Sequence, residues 1–321
     1  MEFDRFIISV GNLTVGGTGK TPFVELLIRA MKTNHQLSVL SRGYKRKTHG
    51  FRLADDRDDA DTLGDEPFQY FIKYGKDVRI AVGEDRASAI PEIIVHDKNV
   101  ELIILDDAYQ HRSVTPQLSF LLNDYYRPFY RDFVLPAGLL RESRKHAHRA
   151  DIVVVTKCPE NLGTQEMNHI ERQISRYAGK TKAVYFTGIK YLAPIKLYGN
   201  QNFSENVFLF SGIANASPLE DFVGKHYNLT GHRKFPDHYS FTKKDLTELI
   251  ISFEKVKSNN KCLLTTEKDM VRLISMKEAA KVLANYPVFY LPIELYFLKN
   301  GDCFAEELEN KVKTGLKKNK E

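Results

Sequence analysis

The sequence predicts an α/β protein of two units: a larger one on a mostly parallel sheet with helices on both faces, and a smaller C-terminal one of the same class. Three observations carry that expectation. Near-continuous apolar runs (Phe6–Val10, Leu102–Leu105, Ile152–Val155) alternate with amphipathic segments, as strands buried on both faces do. The stretch Phe6–Met31, FIISVGNLTVGGTGKTPFVELLIRAM, reads as strand, glycine-rich loop and helix. After a run of short strands and turns, a second strand-to-helix cycle opens with NVFLF at 206–210.

Taken in order, the first strand covers Arg5–Val10. The helix after the loop runs from Thr21 to Met31, with Pro22 in the first turn, where its missing N–H costs no bond. Leu37–Leu40 is a short strand entering Ser41-Arg42-Gly43-Tyr44. An acid-rich stretch, 54–67, precedes a helix through Phe68–Tyr74; a strand at Val78–Val82 and a helix at Glu84–Ile94 follow. Strands at Glu101–Asp107, Leu118–Leu122 and Asp151–Thr156 and a surface helix at Glu166–Tyr177 complete the larger unit, 1–181. Residues 182–205 read as a β-stranded linker with a turn at Gly199-Asn200. The smaller unit, 206–310, has Ser217 as an N-cap, a helix at 243–256 capped by Thr242, and a strand at Cys262–Thr265. A helix from Glu267 and a strand at Val288–Leu291 close it. The lysine-rich segment 311–321 reads as a frayed, solvated tail.

A composition of 42% apolar and 27% charged residues is that of a globular chain able to bury a sizeable core. The formal charge of +6 suits an anionic partner, whether nucleotide, phospholipid surface or nucleic acid, without selecting one. Cys158, Cys262 and Cys303 have no CxxC spacing, which argues against a zinc site or a disulfide framework. No apolar stretch is long enough to span a bilayer and no signal peptide precedes Phe6, so a soluble or peripheral protein is expected.

The loop Thr14, Val15, Gly16, Gly17, Thr18, Gly19, Lys20, Thr21 carries the clearest chemistry. Backbone N–H groups in such a loop surround phosphate oxygens, and the positive end of the following helix favours the anion. Lys20 is expected to reach the β- and γ-phosphates and Thr21 to hold magnesium. The common pattern G-x-x-x-x-G-K-[ST] asks for glycine where this chain has Thr14, and the variant of partitioning ATPases asks for lysine where it has Val15. The strand ELIILDD ends in Asp106 and Asp107, where a carboxylate positions magnesium against the loop hydroxyl. The loop, these aspartates and Thr156-Lys157 all fall at carboxyl ends of strands, where open α/β sheets bind ligands. Tyr109 to Arg112 are polar neighbours expected to line the same cleft.

Other candidates are double-edged. Asp65 and Glu66 precede a helix, and helix N-termini favour acids whatever their function. The aromatic stretch Tyr125–Tyr130 and the basic run Arg141–Arg149 suit a lipid headgroup or nucleic-acid surface and equally an exposed loop whose rings cover the core. His238 is a lone loop histidine, by itself more often structural than catalytic.

Together these segments resemble one family, the tetraacyldisaccharide 4'-kinases that act on lipid A precursors in Gram-negative bacteria. The matching segments are SVGNLTVGGTGKTP (9–22), SRGY (41–44), LGDEP (63–67), VGEDR (82–86), LDDAYQHR (105–112), RPF…LPAGLLRE (127–142), ADIVVVTK (150–157), FSGIANA (210–216), FPDHYSF (235–241) and TTEKD (265–269). They span nearly the whole chain in order. The resemblance implies a phosphate-loop NTPase (RecA-like) domain joined by a short β-stranded linker to a smaller α/β domain. It implies transfer of the γ-phosphate of ATP, with Mg2+, to the 4'-hydroxyl of an acylated glucosamine disaccharide 1-phosphate, giving the lipid IVA skeleton. Lys20 and Thr21 would then bind phosphate and magnesium, with Asp106, Asp107 and Glu142 as magnesium-organising acids. Asp65 would be the base for the sugar hydroxyl and His238, from the second domain, its partner.

The expected setting is peripheral, on the cytoplasmic face of the inner membrane, with no nucleic-acid partner. Three departures stand out. The family usually opens with a hydrophobic, basic helix on the membrane, whereas this chain starts almost at strand one. Either that helix lies upstream of Met1 or membrane contact falls to surfaces such as Tyr125–Tyr130. Tyr130-Arg131-Asp132 replaces a GNG-like turn, and GLLRES replaces GPLREP. The runner-up reading is a phosphate-loop kinase or ATPase with a soluble acceptor; a nucleotide-dependent switch or nucleic-acid-binding ATPase is a third.

Overall fold

The computed structural model describes residues 1–318. Its strands are β1 (Phe6–Asn12), β2 (Leu37–Ser41), β3 (Arg52–Leu53), β4 (Arg79–Val82), β5 (Leu102–Asp106), β6 (Leu118–Asp124) and β7 (Ile152–Thr156). They continue as β8 (Ala183–Tyr191), β9 (Ile195–Tyr198), β10 (Asn206–Ser211), β11 (Asn228–Lys234), β12 (Cys262–Thr266), β13 (Val288–Leu291) and β14 (Ile293–Phe297). The helices are α1 (Lys20–Met31), α2 (Ala60–Leu63), α3 (Asp65–Tyr74), α4 (Arg86–His96) and α5 (Thr164–Ala178). The rest are α6 (Ser217–His226), α7 (Lys243–Glu254), α8 (Glu267–Ser275), α9 (Lys277–Leu283) and α10 (Gly301–Lys318).

The large sheet runs β14-β8-β7-β6-β1-β5-β2-β4-β3, and every pair from β8 to β4 is parallel. Its central strands are buried along their whole length, which is why they read as continuous apolar runs. Successive residues of β1 serve opposite layers. Phe6, Ile8 and Val10 pack with α1 and α10, while Ile7 packs with Ile90 and Ile93 of α4. On the same face as α4, α5 covers β7 through Ile170 and Ile174. The chain order reverses at β1, between β5 and β6, and the register sets Val10 beside Asp106. The loop after β1 and the aspartates after β5 therefore meet at the switch point of the sheet.

The second sheet, β11-β10-β12-β13-β9, is parallel apart from β9. Two cores flank it, one with α7, α8 and α9 and one with α6. The path between the sheets differs from the division expected at 182–205, 206–310 and 311–321. Strand β8 begins inside the large sheet, paired to β7, and then leaves it paired antiparallel to β14. Strand β14 carries the chain back, and α10 lies on the large sheet with Phe304, Leu308 and Val312 buried against Phe6 and Phe120. The lysines of this segment hid the i, i+4, i+8 apolar stripe that docks it. Residues 319–321 of the expected tail lie outside the described residues. Among the described residues no helix is long and apolar enough to cross a membrane.

Candidate active site

The phosphate loop is braced by side chains as well as glycines. Gly16 and Gly19 take φ of 95° and 79°, a backbone region that L side chains strain to enter. Thr14, where the common pattern has glycine, forms an isolated β-bridge with Leu140. Asn12 donates through Nδ2 to Thr14 Oγ1 at 3.3 Å and Thr18 Oγ1 at 2.9 Å, and Thr156 donates to Thr18 O at 2.9 Å. The Val15 N–H bonds Leu139 O at 2.8 Å, and Lys157 donates to Gly17 O. The loop is thus held from β1, from β7 and from the 132–140 turn, and so depends less on a glycine at 14. Helix α1 begins at Lys20, one residue earlier than expected, with Gly19 as its N-cap.

Beside the loop stand the two aspartates, in different electrostatic states. Asp107 takes a left-handed φ of 49° and receives Lys20 Nζ at 3.4 Å and Arg141 Nη1 at 3.1 Å. Burial would raise its pKa, but Lys20 and Arg141 hold it below the usual carboxylate value. Asp106 is buried. Ser41 Oγ and Tyr70 OH donate to its Oδ2 at 3.3 and 3.4 Å, while its buried Oδ1 has no hydrogen-bond partner. Burial, and then the Asp107 charge, push its pKa up to about 6. The Tyr70 hydroxyl also meets the Thr21 side chain, so Thr21, Tyr70 and Asp106 form one oxygen-lined spot.

Those features fit a magnesium ion. The donors are hard oxygens, and the orphaned Oδ1 of Asp106 is a buried carboxylate oxygen short of positive charge. Among the described residues no three His, Cys, Asp or Glu side chains converge on a metal position. A magnesium that keeps waters and substrate phosphates needs only one or two protein carboxylates. Glu142, expected among the magnesium-organising acids, bonds Gln110, Arg112, Arg149 and, at 2.8 Å, His146. Gln110 in turn donates to Asn12 O at 2.8 Å, so Glu142 reaches the loop through an amide.

Asp65 and His238 do meet across the domains. Asp65 opens α3, and His238, at a left-handed φ of 56°, places Nδ1 3.3 Å from Asp65 Oδ2. The third member was not among the residues singled out from the sequence. Arg272 of α8 donates Nε and Nη2 to the same Oδ2, each at 2.9 Å, and sets Nη2 3.3 Å from His238 Nδ1. Its Nη1 donates to Gly212 O at 3.0 Å and to the buried Asp269 at 3.1 Å. Asp269 itself accepts from Gly212 N and Thr266, so the guanidinium is fixed from behind. A guanidinium only donates. The His238 Nδ1 therefore serves one neighbour at a time, donating to Asp65 when it bears hydrogen and accepting from Arg272 when it does not. Burial raises the Asp65 pKa, but the His238 bond and Arg272 hold it below the usual carboxylate value. The available signal was spacing alone: in TTEKDMVR, Asp269 and Arg272 share one helix face at i, i+3.

Helix α3 ties the two halves of the site together. Tyr70, whose hydroxyl reaches Asp106, sits five residues after Asp65, roughly 7–8 Å along the axis. Arg86, fully buried, locks the chain behind Asp106 by donating to Asp106 O at 3.0 Å and Gly83 O at 2.6 Å. Burial lowers its pKa to about 10, so it remains a cation at neutral pH.

Comparison with known proteins places this chain in a family. A family model for tetraacyldisaccharide-1-P 4'-kinase matches residues 1–313. The tetraacyldisaccharide 4'-kinase of Flavobacterium johnsoniae is 39% identical over 324 residues, covering 98% of this chain and 89% of its own. That of Bacteroides thetaiotaomicron is 37% identical over 310 residues, covering 92% and 80%. A crystal structure of LpxK from Aquifex aeolicus in complex with ATP has a TM-score of 0.71 over 97% of this chain and 90% of its own. At 24% identity that last likeness speaks for the fold. A match that runs from residue 1 to residue 313, joined to relatives this similar over most of their own length, makes this chain a member of the tetraacyldisaccharide 4'-kinase family.

Proposed function

We propose that this chain transfers the γ-phosphoryl group of ATP to the 4'-hydroxyl of tetraacyldisaccharide 1-phosphate. The product is lipid IVA, in lipid A biosynthesis, and the enzyme works peripherally on the cytoplasmic face of the inner membrane. The observation that carries the mechanism is the contact of Asp65 with His238 and Arg272 beside a braced phosphate loop.

Phosphoryl transfer is chiefly positioning and charge neutralisation. The loop N–H groups and Lys20 bind the phosphates, and Lys20 exchanges its contact with Asp107 for them. Thr21 and Asp106, with Asp107 beside them, would hold magnesium, which when bound neutralises charge on the phosphates. Glu142, through Gln110, keeps the loop and the 141–149 segment in register. A sugar hydroxyl is a poor nucleophile at neutral pH, so a carboxylate that takes its proton as the O–P bond forms lowers the barrier. Among the described residues every bond to the Asp65 carboxylate falls on Oδ2, which leaves Oδ1 for the hydroxyl. Arg272 keeps Asp65 ionised, and His238 orients it when its Nδ1 bears hydrogen.

The test is labelled MgATP with tetraacyldisaccharide 1-phosphate in detergent micelles, comparing the wild type with Lys20→Ala and Asp65→Ala. The wild type should yield labelled bis-phosphorylated lipid. Both variants should fall by at least about 10²-fold. A wild-type enzyme that hydrolyses ATP without labelling this lipid would refute the acceptor.

A further inference from the structure

We propose that the turn Asp132–Leu140 is a bilayer-docking element that seats the phosphate loop at an anionic lipid surface. It rests on the lipid-acceptor reading in one respect, that such an acceptor resides in a membrane. Phe133, Val134, Leu135 and Leu139 are 59%, 41%, 50% and 39% exposed, and Pro136 and Ala137 between them are exposed too. Large exposed apolar side chains are ordinary when scattered, but a contiguous set on one turn marks an interaction surface.

The backbone of this turn is already prepared for an apolar medium. Asp132 Oδ1 accepts from the N–H of Phe133 at 2.7 Å and of Leu139 at 3.1 Å. The N–H of Leu135 bonds Leu140 O, that of Leu140 bonds Phe133 O, and that of Ala137 bonds Val134 O, while Pro136 has none to satisfy. Entry into lipid therefore exposes few unpaired donors.

Charge complementarity selects an anionic bilayer as the occupant. Arg131 flanks the apolar crest and Lys145 lies just beyond, while Arg141 on the other flank is held by Asp107 and the Arg144 guanidinium stacks over the Phe133 ring at 5.3 Å. The acids in this stretch are engaged: Asp132 closes the turn and Glu142 is paired with Arg149, Arg112 and His146. An apolar crest on a basic collar inserts its side chains while its cations meet lipid phosphates. The turn is bonded directly to the loop, through Val15 N to Leu139 O at 2.8 Å and Arg141 N to Leu13 O at 2.7 Å. Docking it fixes the height of the phosphate site above the membrane.

The test is flotation of the full chain with vesicles of phosphatidylethanolamine and phosphatidylglycerol, at low and high salt. The triple variant Phe133→Ser, Val134→Ser, Leu135→Ser should partition on the order of 10²-fold less. Arg131→Gln with Lys145→Gln should partition about tenfold less, only at low salt. Unchanged melting temperatures would show both variants folded. Wild-type protein that fails to float, or a triple variant that floats equally well, overturns the proposal. A triple variant with normal flotation and a raised KM for the acceptor in micelles would assign the turn to the acceptor's acyl chains instead. A wild-type dimer that the triple variant dissolves, with flotation unchanged, would assign it to a second copy of the chain. Because flotation needs no catalysis, failure of the kinase assay and failure of docking are read separately.

Discussion

Replacing Arg272 with methionine tests the least expected part of the site. The change removes two N–H bonds to Asp65 and the bonds to Gly212 and Asp269 while keeping much of the side-chain volume. Breaking a buried pair by deleting one partner costs about 3–5 kcal/mol. The Asp65 side chain is 21% exposed, so solvent recovers part of that, and about 2–3 kcal/mol of stability should be lost. The chemical effect is separate. With the carboxylate no longer held, kcat should fall about 10²-fold. The KM for ATP should stay within about twofold, because Lys20 and Thr21 are untouched. Losing the cation raises the Asp65 pKa, so the acid limb of the kcat profile should move to higher pH and the loss should deepen in acid. The assay is labelled phosphate transfer across a pH series, in wild-type and Asp65→Asn backgrounds. If Arg272 acts through Asp65, Arg272→Met on top of Asp65→Asn should cost little more. A full, pH-independent loss in that background would refute the coupling and leave Arg272 a purely structural residue.

Two further outcomes follow from the same geometry. In metal-free protein, Asp106→Asn should stabilise: the folded-state pKa of about 6 against an ordinary 3.8 corresponds to roughly 2–3 kcal/mol. A raised pKa means the folded state holds the proton more tightly, so the wild-type contribution is full below pH 3.8 and lost as pH rises through 6. The variant's advantage in urea denaturation with chelator should therefore appear above pH 6 and vanish near pH 4, and its kinase activity should be abolished; an unchanged midpoint at pH 8 would contradict the assigned burial cost. Arg127 Nη2 lies 3.3 Å from where a Cβ on Gly16 would sit, and among the described residues no carboxylate pairs with it. Arg127→Ala should raise the KM for ATP about tenfold with kcat within about twofold, measured by initial rates.

The large sheet was legible because its strands are buried on both faces and need no polar alternation. The loop was legible because its residues are local in sequence: Gly16 through Thr21 declare a turn and a helix start. Asp106 and Asp107 could be read from the abrupt end of an apolar strand. The Asp65 contact could not. It depends on α3 and α8 meeting across about two hundred residues of chain, and no periodicity in either helix encodes that approach. Asp65 was visible only as an acid at a helix start and gained its role as base by resemblance, and Arg272 did not enter at all, since an arginine in an amphipathic helix reads as a solvated cation until its partners are known. The return of α10 was missed for the opposite reason. Its apolar stripe was present in the sequence, but its lysines dominated the composition of the segment.

The way α3 and α8 meet explains how two domains keep one site in register. At one end Arg272 grips Asp65; at the other, Lys73 of α3 bonds both Glu25 of α1 and, at 2.7 Å, Glu267 of α8. Glu267 also accepts the N–H of Ile293, where β14 begins its return. A small apolar cluster, including Leu63, Phe68, Met270 and Val271, packs between the helices, with a longer Lys268–Glu66 pair at 3.8 Å beside it. An apolar interface tolerates sliding, because methyl groups are nearly interchangeable. A charge withdrawn from water tolerates little, since its desolvation is offset only when its partner stands at bonding distance. Two such contacts at opposite ends of one helix pair fix both the translation and the tilt of α8 on α3. Glu25 belongs to the helix that starts at Lys20, so the same network refers the smaller domain directly to the phosphate loop. The distance between the phosphate loop and the Asp65 carboxylate is then set by buried electrostatics in α1, α3 and α8, and not by the two-stranded connection of β8 and β14.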